Sequence, residues 1–136
     1  MQFNTLLKSM RQNHSYLAMP EQTKMQLSKE QIGALPSFFS HIPDPRKASS
    51  KKKHELSTVL AIVVGAEICG MRGGTEIADW AKDLPLEHLR LLGCNQENNL
   101  YLTPSSSLIS DLLNRINPDK FNDALKKCKA AIILES

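Results

Sequence analysis

Between His54 and Leu84 the chain reads HELSTVLAIVVGAEICGMRGGTEIADWAKDL. In the first half of this stretch Leu56, Val59, Leu60, Ile62, Val63, Val64 and Ile68 lie all around a helix, not along one stripe. A helix that is apolar on every side has to be sheathed by other elements. The run is too short, and with Glu55 and Glu67 too charged, to span a membrane. Cys69-Gly70-Met71-Arg72-Gly73-Gly74 then breaks the helix. Thr75 is placed to cap a second helix, with Glu76 at its positive end. Ile77, Trp80, Ala81 and Leu84 share one face of that helix, and Glu76, Asp79, Lys82 and Asp83 share the other. The expectation is a buried central helix, a glycine turn, and an amphipathic helix folded back on it.

The rest of the chain has to supply the sheath. Residues 1–27 read as a weakly structured leader, with Phe3, Leu6, Leu7 and Met10 at helical spacing for one short docked helix. No long apolar run follows Lys8 and Arg11, so no signal peptide is expected. The domain is placed at 28–136. Ser28 and Gln31 form a capping box. Pro36 suits the first turn of a short helix carrying Leu35, Phe38, Phe39 and Ile42. Pro85 opens a helix with Leu86, Leu89 and Leu92, and Gly93 ends it. CNQENNLYL (94–102) reads as a polar loop with Leu100 and Leu102 tucked inward. Thr103-Pro104 opens a helix to Ile116 that puts Leu108, Ile109, Leu112 and Ile116 toward the core. Ser105, Ser106, Ser107, Ser110, Asp111, Asn114 and Arg115 face outward from it. Asn117-Pro118 opens the last helix, with Phe121, Ala124, Leu125, Cys128, Ala131 and Ile132 on one stripe and Lys120, Lys126, Lys127 and Lys129 off it. No segment alternates with period two. The fold class is all-α: a compact helical bundle around a buried central helix, with a helix-turn-helix-like pair.

Charge and composition bound the function. The chain is mildly basic, with a net charge of +3, which permits nucleic acid without requiring it. Aromatics at 5% are too few for a broad base-stacking platform. Cys69, Cys94 and Cys128 are widely spaced, so reduced thiols in a cytoplasm are expected and zinc is not. The histidines at 14, 41, 54 and 88 share no ligand spacing, and no nucleophile has an activating partner. Glu67 reads as a helix-end carboxylate paired with Arg72 or water. The strongest charge run lies in Ile42-Pro43-Asp44-Pro45-Arg46-Lys47 and on through Lys51, Lys52, Lys53 and His54. A solvated loop and a phosphate clamp both fit it. The helix from Pro104 to Ile116 is the candidate DNA reader. Its N-terminal hydroxyls allow close approach to phosphate, and Asn114 and Arg115 can read base edges. A serine-rich solvent face fits the same residues. Glu76, Asp79 and Asp83 would repel phosphate and are expected on the side away from DNA.

The order of short motifs adds a resemblance. IPDPR (Ile42 to Arg46), Lys53-His54 with Leu56, Cys69-Gly70, TEIADW (Thr75 to Trp80), Pro104-Ser105 and Asn117-Pro118 resemble the N-terminal domain of the H-repeat-associated DDE transposases. The resemblance covers roughly Leu35 to Leu134. It departs after the Pro-Ser pair, where Ser106-Ser107 stand in place of the usual histidine or aspartate. In that family a ribonuclease H-like domain follows, whose carboxylates would bind two divalent metals. The present chain is expected to lack it, and so to be non-catalytic and without a cofactor. The resemblance implies a module of a bacterial cytoplasmic transposase that engages double-stranded DNA at element ends. The DNA-contacting set is then Arg46, Lys47, Lys51, Lys52, Lys53, Ser105, Ser106, Ser110, Asn114 and Arg115. The competing expectation is a protein-interaction module that assembles transposase protomers into a homo-oligomer without reading DNA.

Overall fold

The computed structural model describes residues 26–47 and 53–135. Among these residues the order is α1 (Lys29–Ala34), a 3-10 helix (Leu35–Phe39), α2 (Leu56–Ile68), α3 (Gly73–Lys82), α4 (Leu86–Leu92), β1 (Gln96–Glu97), β2 (Leu100–Tyr101), α5 (Ser106–Arg115) and α6 (Pro118–Glu135). The architecture is helical, with one small hairpin. Most of the leader expected at 1–27 lies outside the described residues. Leu27 does not, and it is buried in the core.

α2 is the axis. Every residue from Thr58 to Ile68 is buried, as is Leu56. The 3-10 helix, α3, α4 and α5 surround it, so the all-round apolar pattern has its sheath. Gly65 lets that sheath close in: a Cβ there would lie 3.0 Å from both Leu35 Cδ1 and Trp80 Cη2. The 3-10 helix links α2 to the last helix, because Phe39 stacks on Phe121 of α6 with centroids 5.9 Å apart. α1 packs on α4, and α3 packs on α5.

Several helix ends follow the residues that mark them in the sequence. Ser28 and Gln31 form the reciprocal capping box. Asn117 Oδ1 accepts from the amides of Asp119 and Lys120 at 3.0 and 3.1 Å. Gly93, at φ 87°, terminates α4 in the left-handed region. There the Cys94 amide reaches Leu89 O and the Gly93 amide reaches Arg90 O, which satisfies the orphan carbonyls. Thr58 Oγ1 donates to Leu92 O at 2.7 Å, fastening α2 to that end.

Other expectations need correction. α3 starts at Gly73, not after a Thr75 cap: Arg72, extended at φ −128°, is the N-cap, and no side chain caps the helix. α5 starts at Ser106, because the Ser105 hydroxyl accepts from the Leu108 amide at 3.2 Å while Pro104 is buried ahead of the helix. Leu100, expected to tuck inward, is 70% exposed, and so is Leu86. The expected polar loop at 94–102 holds a hairpin. Asn98 and Asn99, at φ 54° and 65°, form its two-residue turn, and Gln96 pairs with Tyr101. The connection from α4 to α5 thus carries a hairpin where a helix-turn-helix has a turn of three or four residues. Lys129, expected off the apolar stripe, is 2% exposed. No single helix among the described residues is long and apolar enough to cross a membrane.

Candidate nucleic-acid interface

Two prolines hold the segment after the 3-10 helix extended. Ile42 is buried and anchors it, and Asp44 and Arg46 then lock it. The Arg46 guanidinium grips both Asp44 oxygens, at 3.0 and 2.8 Å, and its Nη2 also donates to His54 O at 2.8 Å. The two edges of the lysine-rich stretch are thereby pulled together. Its side chain is only 13% exposed. Arg46, one of the expected phosphate contacts, is a staple of the loop.

The same loop is tied to α5. Arg115 Nη2 donates to Pro45 O at 3.1 Å, while Nη1 bonds Asp111 one turn earlier at 2.9 Å. The C-terminal end of α5 therefore abuts the entry to the basic segment. Arg115 is exposed, with one donor on each terminal nitrogen held by a carboxylate and a carbonyl, the geometry of a positioning group. On α5, Ser106, Ser110 and Asn114 fall at four-residue intervals on one stripe, with Asn114 exposed. Ser105 and Ser106 sit at the opposite end of the helix, about 15 Å from Arg115 at 1.5 Å per residue.

The hairpin closes the other flank. Asn95 Nδ2 donates to Lys53 O at 2.9 Å, and Lys53 Nζ lies 3.9 Å from Glu97, with both side chains exposed. Between two such exposed groups an ion pair is weak and readily exchanged. Lys47 is exposed. Lys51 and Lys52 lie outside the described residues. His54 is half-buried here. Burial, and then the charges of Arg46 and Lys53, lower its pKa. The hairpin's part in this surface was missed in the sequence; the Asn-Asn pair, suited to left-handed backbone, was the available signal.

A further acidic cluster lies on α3. Glu76, Asp79 and Asp83 rim an open groove of about 330 Å³ whose floor is Met71, Trp80 and Leu84. Glu67, 7% exposed, accepts from Arg72 Nη1 at 3.1 Å, the helix-end pair expected of it. Glu67 also bears on the buried Lys129. Burial pushes the Lys129 ammonium down to about 8, and the carboxylate opposes that shift. Burial raises the Cys94 thiol to about 11 and the Cys128 thiol to about 12. Among the described residues no cluster of histidine, cysteine, aspartate and glutamate is placed to hold a metal ion.

No curated protein and no solved structure matches the chain. A family model does, over residues 37–128, from the 3-10 helix through α6 to Cys128. The matched span holds the proline segment, the central helix, the acidic groove and α5, and the family it matches is that of a transposase-associated domain. The chain belongs to the DDE_Tnp_1-associated family.

Proposed function

We propose that this domain is a non-catalytic, double-stranded-DNA-binding module of a DDE transposase, engaging the ends of its mobile element. The observation that carries the reading is the Arg115–Pro45 hydrogen bond, which joins α5 to the basic segment as one surface. On this reading Lys47, Lys51, Lys52 and Lys53 neutralise phosphates, and Ser105, Ser106 and Ser110 approach the backbone near the start of α5. Asn114 is the base reader, since a carboxamide can bond adenine in two places. Arg115 and Arg46 hold the surface in shape. The acidic rim of the groove repels phosphate and limits how far DNA extends.

A fluorescence titration with element-end duplexes at two salt concentrations tests this. Three or four phosphate contacts give a log–log salt slope of roughly −3, at about −0.9 per contact. Changing Lys51, Lys52 and Lys53 together to alanine should weaken binding to every duplex alike and flatten the slope. Binding indifferent to salt, or none at low salt, would sink the proposal.

A second reading, assembly of transposase protomers, is favoured by the end of α6, where Leu134 is 86% exposed. Light scattering separates the two: a stable dimer without measurable DNA affinity supports assembly.

A further inference from the structure

The groove on α3 is apolar below and acidic above. Met71, Trp80 and Leu84 make the floor, and Glu76, Asp79 and Asp83 stand around it. Trp80 is only partly buried, although its ring tip packs over Gly65 in the middle of the core helix. A half-covered tryptophan on a concave floor is a surface suited to a partner.

The start of the described chain packs close to the ring tip of the groove's tryptophan. Leu27 Cδ1 lies 3.6 Å from the Cβ position of Gly65, the same point that Trp80 reaches at 3.0 Å. The Leu27 backbone and the Trp80 side chain both hydrogen-bond the Cys69 thiol. The described chain therefore begins beside the tryptophan.

Their composition complements the groove. Phe3, Leu6, Leu7 and Met10 recur at helical spacing, the pattern of one apolar stripe. Lys8, Arg11 and Lys24 outnumber the one acid, Glu21. The stretch between Arg11 and Leu27 reaches up to about 3.3 Å per residue, ample to fold back over α3.

We propose that the groove of Met71, Trp80 and Leu84 is the docking site of the chain's own first segment, with Phe3, Leu6, Leu7 and Met10 on the floor and Lys8 and Arg11 against Glu76, Asp79 and Asp83. Tethering raises the effective concentration of the segment, so a weak contact suffices to keep it seated. The docked segment neutralises the acidic face and completes the cover of the core.

Trp80 is the chain's single tryptophan and so reports the groove directly. In the full chain, Leu6→Ser with Leu7→Ser should red-shift its emission and increase acrylamide quenching, with unchanged far-ultraviolet circular dichroism. Glu76→Lys with Asp79→Lys should do the same at low salt. Adding Lys8→Glu and Arg11→Glu to that pair should restore the original spectrum, because the charges are swapped and not lost. The proposal is overturned if the leucine substitutions leave Trp80 unchanged, or if the charge swap fails to restore it. It is equally overturned if the emission depends on protein concentration in step with dimer formation by light scattering, which would make a second copy the occupant.

Discussion

His54 sits half-buried beside Arg46 and Lys53, and burial and those two charges lower its pKa. A phosphate arriving at this point would offset the cations, so the imidazole should bind its proton more readily in the complex. An NMR titration of His54 with and without a saturating duplex should show its pKa move upward. An unchanged titration at full occupancy would place the phosphates away from the lysine segment. The residue scale also shows what side-chain chemistry alone leaves open. Arg46 and Arg115 look in sequence like free cations. Each is held because a carboxylate lies two or four residues away and a carbonyl from a distant segment completes the bond. The nearby carboxylates are visible in the sequence, but the carbonyls are not. Lys129 is the reverse case. It lies off the apolar stripe of its own helix, yet the end of α2 brings Glu67 close enough to act on it. Only the tertiary fold decides whether such a flank meets solvent or a neighbour.

At the scale of elements, two helical glycines, Gly33 and Gly65, predict opposite outcomes. Gly33 in α1 has room: an added Cβ would meet Leu91 at 3.6 Å, an ordinary contact. Gly33→Ala should therefore gain about 0.5–1 kcal/mol through helix propensity. Gly65→Ala gains the same propensity, but its Cβ meets Leu35 and Trp80 at 3.0 Å. Overpacking costs about 1–3 kcal/mol, so the net effect should be destabilising. Urea unfolding of both variants checks the pair. A stabilised Gly65→Ala would mean that the sheath yields more easily than its packing implies. Elements were legible where local chemistry marks them: the capping box at Ser28, Gly93 as terminator, Asn117-Pro118 as opener, and α2 from its apolar surround. Boundaries slipped where two residues could do one job. Thr103 and Ser105 both offer a hydroxyl, and it is Ser105 whose oxygen accepts from the Leu108 amide and caps the helix. The hairpin escaped notice because two-residue strands are too short for any alternation to register, leaving only the Asn-Asn turn as a sign.

For the whole molecule, buried ionisable groups set the response to pH. Lys129 is pushed down to about 8 from 10.5, so between those values the unfolded chain binds the extra proton and stability climbs as pH rises. Cys94 and Cys128, raised to about 11 and about 12 from 9.0, act in the opposite sense. Above 9.0 the unfolded chain has lost thiol protons that the folded chain keeps, and stability falls. The melting temperature should therefore rise through the slightly alkaline range and turn over above pH 9.0. Lys129→Met should remove the rise and leave the fall. The sheathed helix α2 carries a separate consequence, in the time domain. From Val59 onward its amides are hydrogen-bonded on an axis with neighbours on every side, so no partial opening brings water to them. Deuterium should enter 59–68 only when the entire domain comes apart, and its uptake should track the global unfolding free energy as urea is added. The Asn98–Asn99 hairpin should exchange through local fluctuations and ignore low urea. If 59–68 exchanges as fast as the hairpin, the sheath opens piecemeal, and the central helix does not hold the domain as one cooperative unit.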